Sequence, residues 1–218
     1  MIYSNNRKLY LSGWLLQHDT AAYNSPLRLQ KFLFLYEAFS KADGDDADFD
    51  RLKGYKRGPV FSSVWGDYTK ERDKFSTTSI QAYSRNIDLV NSVRAERAAF
   101  IVASLSENEL SELSHLFHIW HSKKNRIMDG ELHVALDEQD FNDADCNLAK
   151  LLEKMYPTTI VQNSIILPIG DRCFVFAKTN YTRLTEQHLD ILSSLAMDVN
   201  LHNPVFVEID DDGRLSVD

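Results

Sequence analysis

The sequence predicts a mainly α protein: a helical N-terminal domain over residues 1–128, then a smaller α+β part over residues 129–218 with short antiparallel strands. Three observations carry this. Residues 27–39, LRLQKFLFLYEAF, are apolar nearly all round, as in a helix at the middle of a core. Ser106–Glu109 has the S-x-x-E form in which Ser and Glu each satisfy a backbone N–H at a helix start. After Gly130 the pattern changes, and two β-branched or aromatic runs flank Pro168–Asp171 as a hairpin would.

In chain order, Tyr10, Leu11, Trp14 and Leu15 suggest a first helix ending near His18 and Asp19. Ser25-Pro26 starts the central helix, because Ser can cap and Pro lacks an N–H that would be unpaired there anyway. Gly58-Pro59 is expected to start another helix at a fixed angle. Val60, Phe61, Val64, Trp65 and Tyr68 recur at helical spacing and should form its buried stripe. Ser76–Ser84 is polar and reads as loop or weak strand. Arg85–Ala103 reads as a helix, and the helix opened by Ser106 should run to about Lys124. The first part is thus expected to be all-helical.

Beyond Gly130, the acidic LDEQDFNDAD leads into a helix through Leu152. TTIVQNSIILPI and RCFVFAK follow as the two strands of the hairpin. Thr185-Glu186 opens a helix to about Val199, and PVFVEIDDDGRLSVD closes the chain as two strands around an Asp-Gly turn.

Of the 218 residues, 44% are apolar and 26% charged, the balance of a globular protein with a real core. No run approaches the roughly 20 apolar residues that cross a bilayer, and the N-terminus lacks a signal-peptide layout. Cys146 and Cys173 are widely spaced and make neither a disulfide framework nor a zinc site. The expectation is a cytoplasmic protein without membrane contact. A net charge of −8 disfavours a general nucleic-acid binder. The charge is uneven, since five carboxylates in Asp43–Asp50 meet Arg51, Lys53, Lys56 and Arg57. They form either a solvated loop and helix start or a two-signed face that orients a partner.

Reaction motifs are absent. His115, His118 and His121 repeat every three residues, whereas helical metal pairs favour i, i+4, and no H-E-x-x-H is present. A metal-dependent hydrolase using His115 and His118 is nonetheless the main enzymatic alternative, and a DNA-binding regulator acting through Arg51–Lys74 is another. The acidic runs miss the calcium-loop spacing. Neither G-x-S-x-G nor a phosphate-binding glycine loop occurs, and Cys173 sits in an apolar strand as a packing residue. No catalytic residue, metal or cofactor is assigned.

The order of three segments is informative: LQKFLFLYEAF (29–39), YKRGPVFSSVW (55–65) and LSENELSELSHLFHIW (105–120). It resembles the Panacea domain of SocA-type antitoxins, over residues 26–122. Leu29-Gln30-Lys31 matches the first family motif, Tyr55, Gly58, Pro59 and Val60 the second, and Ser114-His115 with Trp120 approximates the third. The resemblance implies a non-enzymatic, protein-binding antitoxin of a bacterium, phage or prophage, which neutralises a toxin or delivers it to a protease. The expected partner surface is Tyr55, Lys56, Arg57, Gly58, Pro59, Val60 and Trp65, since aromatics and Arg carry most interface energy. Gln30 and Lys31 either line the same groove or reach solvent along their stems, the second being the slightly preferred reading.

Overall fold

Asn5 accepts a hydrogen bond from the Lys8 N–H and so starts α1 (Asn6–His18), and Asp19 does the same for α2 (Thr20–Asn24) through Ala22. Ser25 and Pro26 then open α3 (Pro26–Asp43), which ends at Gly44 with φ +79°. The computed structural model describes residues Met1–Asp218. As its all-round apolar pattern requires, α3 runs through the centre, with Leu29 and Phe32–Tyr36 buried. Glu37 is buried with them, and Arg7 (2.9 Å) and Lys8 (2.5 Å) from α1 neutralise it.

The acidic run 43–50 is mostly exposed, yet three of its carboxylates reach buried cations. Asp43 and Asp45 pair with the buried Arg94 at 2.6 and 2.7 Å, and Asp48 pairs with the buried Lys8 at 3.2 Å. Next comes the main departure from expectation. Gly58-Pro59 begins a strand, not a helix: β1 (Leu52–Tyr55) and β2 (Gly58–Phe61) form an antiparallel hairpin with Lys56-Arg57 at its tip. Gly58 has φ +102°, a value suited to a tight turn and closed to most side chains. The helix α4 (Ser62–Lys70) starts only at Ser62. Phe61, Val64 and Tyr68 are buried as expected, but Trp65 faces outward. The carboxylate of buried Asp67 accepts from the Tyr3 and Ser4 backbone and the Ser4 hydroxyl, at 2.7–2.9 Å, so the chain's first residues are tied to α4.

The polar stretch expected as loop is the helix α5 (Arg72–Arg85). Ser76, Thr77 and Ser84 bond back to carbonyls one turn earlier in the same helix, so their hydroxyls do not disrupt it. It packs tightly on α1: a side chain at Gly13 would meet the Ser79 carbonyl oxygen at 2.1 Å. Residues 87–89 make a single 3₁₀ turn, and α6 (Ser92–Ser104), capped by Asn91, starts seven residues after the expected Arg85. Ser106 and Glu109 form the anticipated capping box of α7 (Glu107–His115). That helix stops short of Lys124, because the buried carboxylate of Asp145 takes the N–H groups of His118 and Ile119. It thereby starts the separate α8 (His118–His121), followed by α9 (Lys124–Met128).

Val134–Ala135 adds β3 to β1, giving a three-stranded sheet in the order β2-β1-β3; two of its strands lie within residues 1–128, which are therefore not all-helical. The helices α10 (Asp143–Met155) and α11 (Thr158–Asn163) follow, the second occupying what reads as strand in the sequence. A second sheet, in the order β4-β5-β6-β7, contains β4 (Ser164–Ile169), β5 (Arg172–Ala177), β6 (Val205–Ile209) and β7 (Leu215–Val217). The hairpin across Gly170-Asp171 and the terminal strand pair are as expected. The parallel pairing of β5 with β6, across α12 (Lys178–Tyr181) and α13 (Glu186–Leu195), is not.

Two hydrophobic cores result. The larger includes residues from Leu9 to Tyr156, on both sides of position 128, together with Val175. The smaller is built on Phe174, Phe176, Leu192, Val205 and Val207. Alternate residues of β5 therefore serve different cores, as side chains pointing to opposite faces of a strand must. No helix is long and apolar enough to cross a membrane. The molecule is mainly α, with a helical N-terminal region and short mixed strands in its C-terminal part.

Candidate functional site

Adjacent residues of α3 anchor the hairpin by its backbone. The Gln30 amide accepts from the Phe61 N–H at 2.8 Å and donates weakly to its carbonyl at 3.4 Å. This occupies the outer edge of β2, where Pro59 has no N–H to offer, and blunts a free strand edge. Lys31 donates from Nζ to the Arg57 carbonyl oxygen at 2.6 Å, beneath the hairpin tip. From the other side, Trp120 Nε1 donates to the Tyr55 carbonyl at 3.0 Å, and the His115 ring stacks on Trp120 with centroids 3.7 Å apart. The space a side chain at Gly58 would need is already filled, by Lys31 Nζ and Ser114 Oγ, each 2.2 Å from it. The three sequence segments singled out above thus meet at one knot of contacts.

Beside this knot lies a cleft of about 510 Å³, within the range typical of ligand pockets. The first turns of α3 supply Pro26, Leu27, Gln30 and Lys31, and the hairpin supplies Tyr55, Lys56, Arg57 and Val60. Trp65 comes from α4, Glu107 from α7 and Ile127 from α9, and residues 130–133 close the ring. Two large apolar side chains of the lining project into solvent: Trp65 is 41% exposed and Leu132 80%.

The electrostatics are lopsided. Lys31 is only 2% exposed, with a carbonyl as its hydrogen-bond acceptor. Burial, and secondarily the Arg57 charge, push its ammonium down to about 7. Glu107 is held below the usual carboxylate range, first by the Ser25 hydroxyl at 2.7 Å and then by Arg57 at 3.0 Å. Glu131 is paired with Arg126. Lys31 and Lys56 enter no ion pair, so the cleft has cationic groups to spare.

Seven of the nine anticipated partner residues therefore line one cleft: Gln30, Lys31, Tyr55, Lys56, Arg57, Val60 and Trp65. Gly58 and Pro59 do not; both are buried within the hairpin, at the start of β2 just after its turn. Lys31 and Gln30 do not reach solvent along their stems, because each satisfies a hairpin backbone group inside the protein. Sequence reading missed Glu107, Ile127, Leu132 and His133. Their one signal was an apolar Leu132 stranded among Gly130, Glu131 and His133.

The three histidines diverge. His115 stacks against Trp120, and burial, with the Lys31 charge, pushes it down to about 4. His118 and His121 are exposed on the short α8. No group of three or more His, Cys, Asp or Glu side chains is placed to hold a metal ion. No family model, curated protein or solved structure matches the chain.

Proposed function

We propose that the chain is a protein-binding module of the antitoxin or adaptor kind, which takes a segment of a partner polypeptide into the cleft beside the Tyr55–Arg57 tip. One observation carries the reading: an apolar cleft whose Trp65 and Leu132 stand out in solvent. Large aromatic and aliphatic side chains left in water next to a pocket are the usual anchors of protein interfaces, since they bury much area at little entropic cost. The identity of the partner as a toxin rests on the resemblance of residues 26–122 to the Panacea domain.

The test is co-expression with the toxin encoded by an adjacent gene, scored as rescue of growth, with the affinity of the purified pair measured alongside. Trp65→Asp and Leu132→Asp should each weaken binding by roughly 30-fold or more, as for an anchor worth about 2 kcal/mol. Their exposure means that unfolding midpoints should barely change. Full rescue by both variants sinks the reading.

A further inference from the structure

We propose that the segment received by this cleft presents an acidic side chain to Lys31, beside an apolar side chain held against Val60, Trp65, Ile127 and Leu132. The inference rests on the protein-binding reading and narrows its partner to an acidic–apolar segment.

The argument begins with an unfinished shell around a charge. An ammonium group carries three donors, and Lys31 Nζ makes one hydrogen bond, to the Arg57 carbonyl. The nearby Ser114 hydroxyl donates to the Ser111 carbonyl at 2.8 Å, and Glu107 and Glu131 are already paired with arginines. A buried cation without an opposite charge is costly, and a carboxylate arriving from a partner relieves that cost. Lys31 belongs to the cleft wall with 2% of its surface exposed, so an incoming group approaches its ammonium from that side. Lys56, exposed at the hairpin tip and in no ion pair, extends the same preference for negative charge to the surface.

The segment around Asp218 is not the occupant, because Asp218 is paired through its backbone with Phe206 in the second sheet. An internal partner segment is the source we assign. Apolar surface continues out of the cleft onto Trp65, Leu132 and the neighbouring Met128, all exposed. A chain that runs on past the cleft covers this surface, whereas a chain end stops inside.

The experiment is a selection of random heptapeptides, displayed between linkers so that none has a free end, on the full-length protein and on Lys31→Met and Trp65→Asp. Enriched peptides should share Asp or Glu next to an aromatic or branched apolar residue. A selected peptide should lose at least tenfold in affinity on Lys31→Met. Its affinity for the unaltered protein should fall about tenfold from pH 6 to pH 8, as Lys31 gives up its proton. That arm holds even if Lys31→Met fails to fold. The other titratable groups facing the site are Tyr55, Lys56 and Arg57 of the hairpin, Glu107, and Glu131 and His133 of the closing loop. Behind it lies His115, which stays neutral over this window. His133→Gln, measured in parallel, should leave the pH dependence in place.

Enrichment of apolar peptides without an acid, or equal binding of acidic ones by Lys31→Met, overturns this inference and leaves the protein-binding reading standing. Tighter binding of the Asp→Asn peptide made with a free C-terminus overturns the assignment to an internal side chain. Enrichment no better than on Trp65→Asp overturns both readings.

Discussion

Gly58 lacks a side chain because Lys31 and Ser114 occupy the space one would take. An alanine there meets both a forbidden φ and two polar atoms, so Gly58→Ala should lower stability by about 1–3 kcal/mol in urea unfolding. Lys31 makes a second residue-scale prediction. Its ammonium sits near 7 in the folded chain, against about 10.5 when exposed. Between those values the unfolded chain binds more protons than the folded one, so stability should rise as pH climbs from 7 towards 10. Lys31→Met should remove most of that rise, and denaturant titrations at pH 7, 8 and 9 check it. Neither role could be read from the sequence. Gln30 and Lys31 look like two polar residues on a helix flank, and their partners lie 31 and 26 residues away.

At the scale of elements, the sequence misleads where one pattern bridges two structures. Phe61, Val64 and Tyr68 keep helical spacing although Phe61 belongs to a strand, because the last strand residue and the first turn of α4 face the same core. Proline, welcome at a helix start, is equally at home on the outer edge of β2. The helix break after His115 hides for another reason, since its cause, Asp145, is remote in sequence. Asp145→Ala should leave two N–H groups of α8 without acceptors and cost about 2 kcal/mol, measured as a lower unfolding midpoint. Local chemistry was legible where the partner lay within a few residues. The Ser25, Ser106 and Thr185 caps and the Gly170 turn are all where composition places them.

For the molecule as a whole, the cleft draws only on residues 26–133, while the second core is built from residues 174–207 with their neighbours. A chain ending at residue 163 should keep its helical circular dichroism and its affinity for the partner. It should melt at a lower temperature, because Ile166, Val175 and Phe206 no longer cover the larger core. The parallel β5–β6 contact that fixes the C-terminal part joins segments about 30 residues apart, and no periodicity within either strand announces it.

The mooring of Asp67 reaches further than its own neighbourhood. The helix it belongs to also carries Trp65, two positions earlier, and the rope is the backbone of Tyr3 and Ser4, more than sixty residues upstream. Pruning those few leading residues would cut a guy-line to one wall of the cleft without touching any residue that lines it. A tag fused or a clip made at that end is therefore felt first as slackness in the grip on a partner.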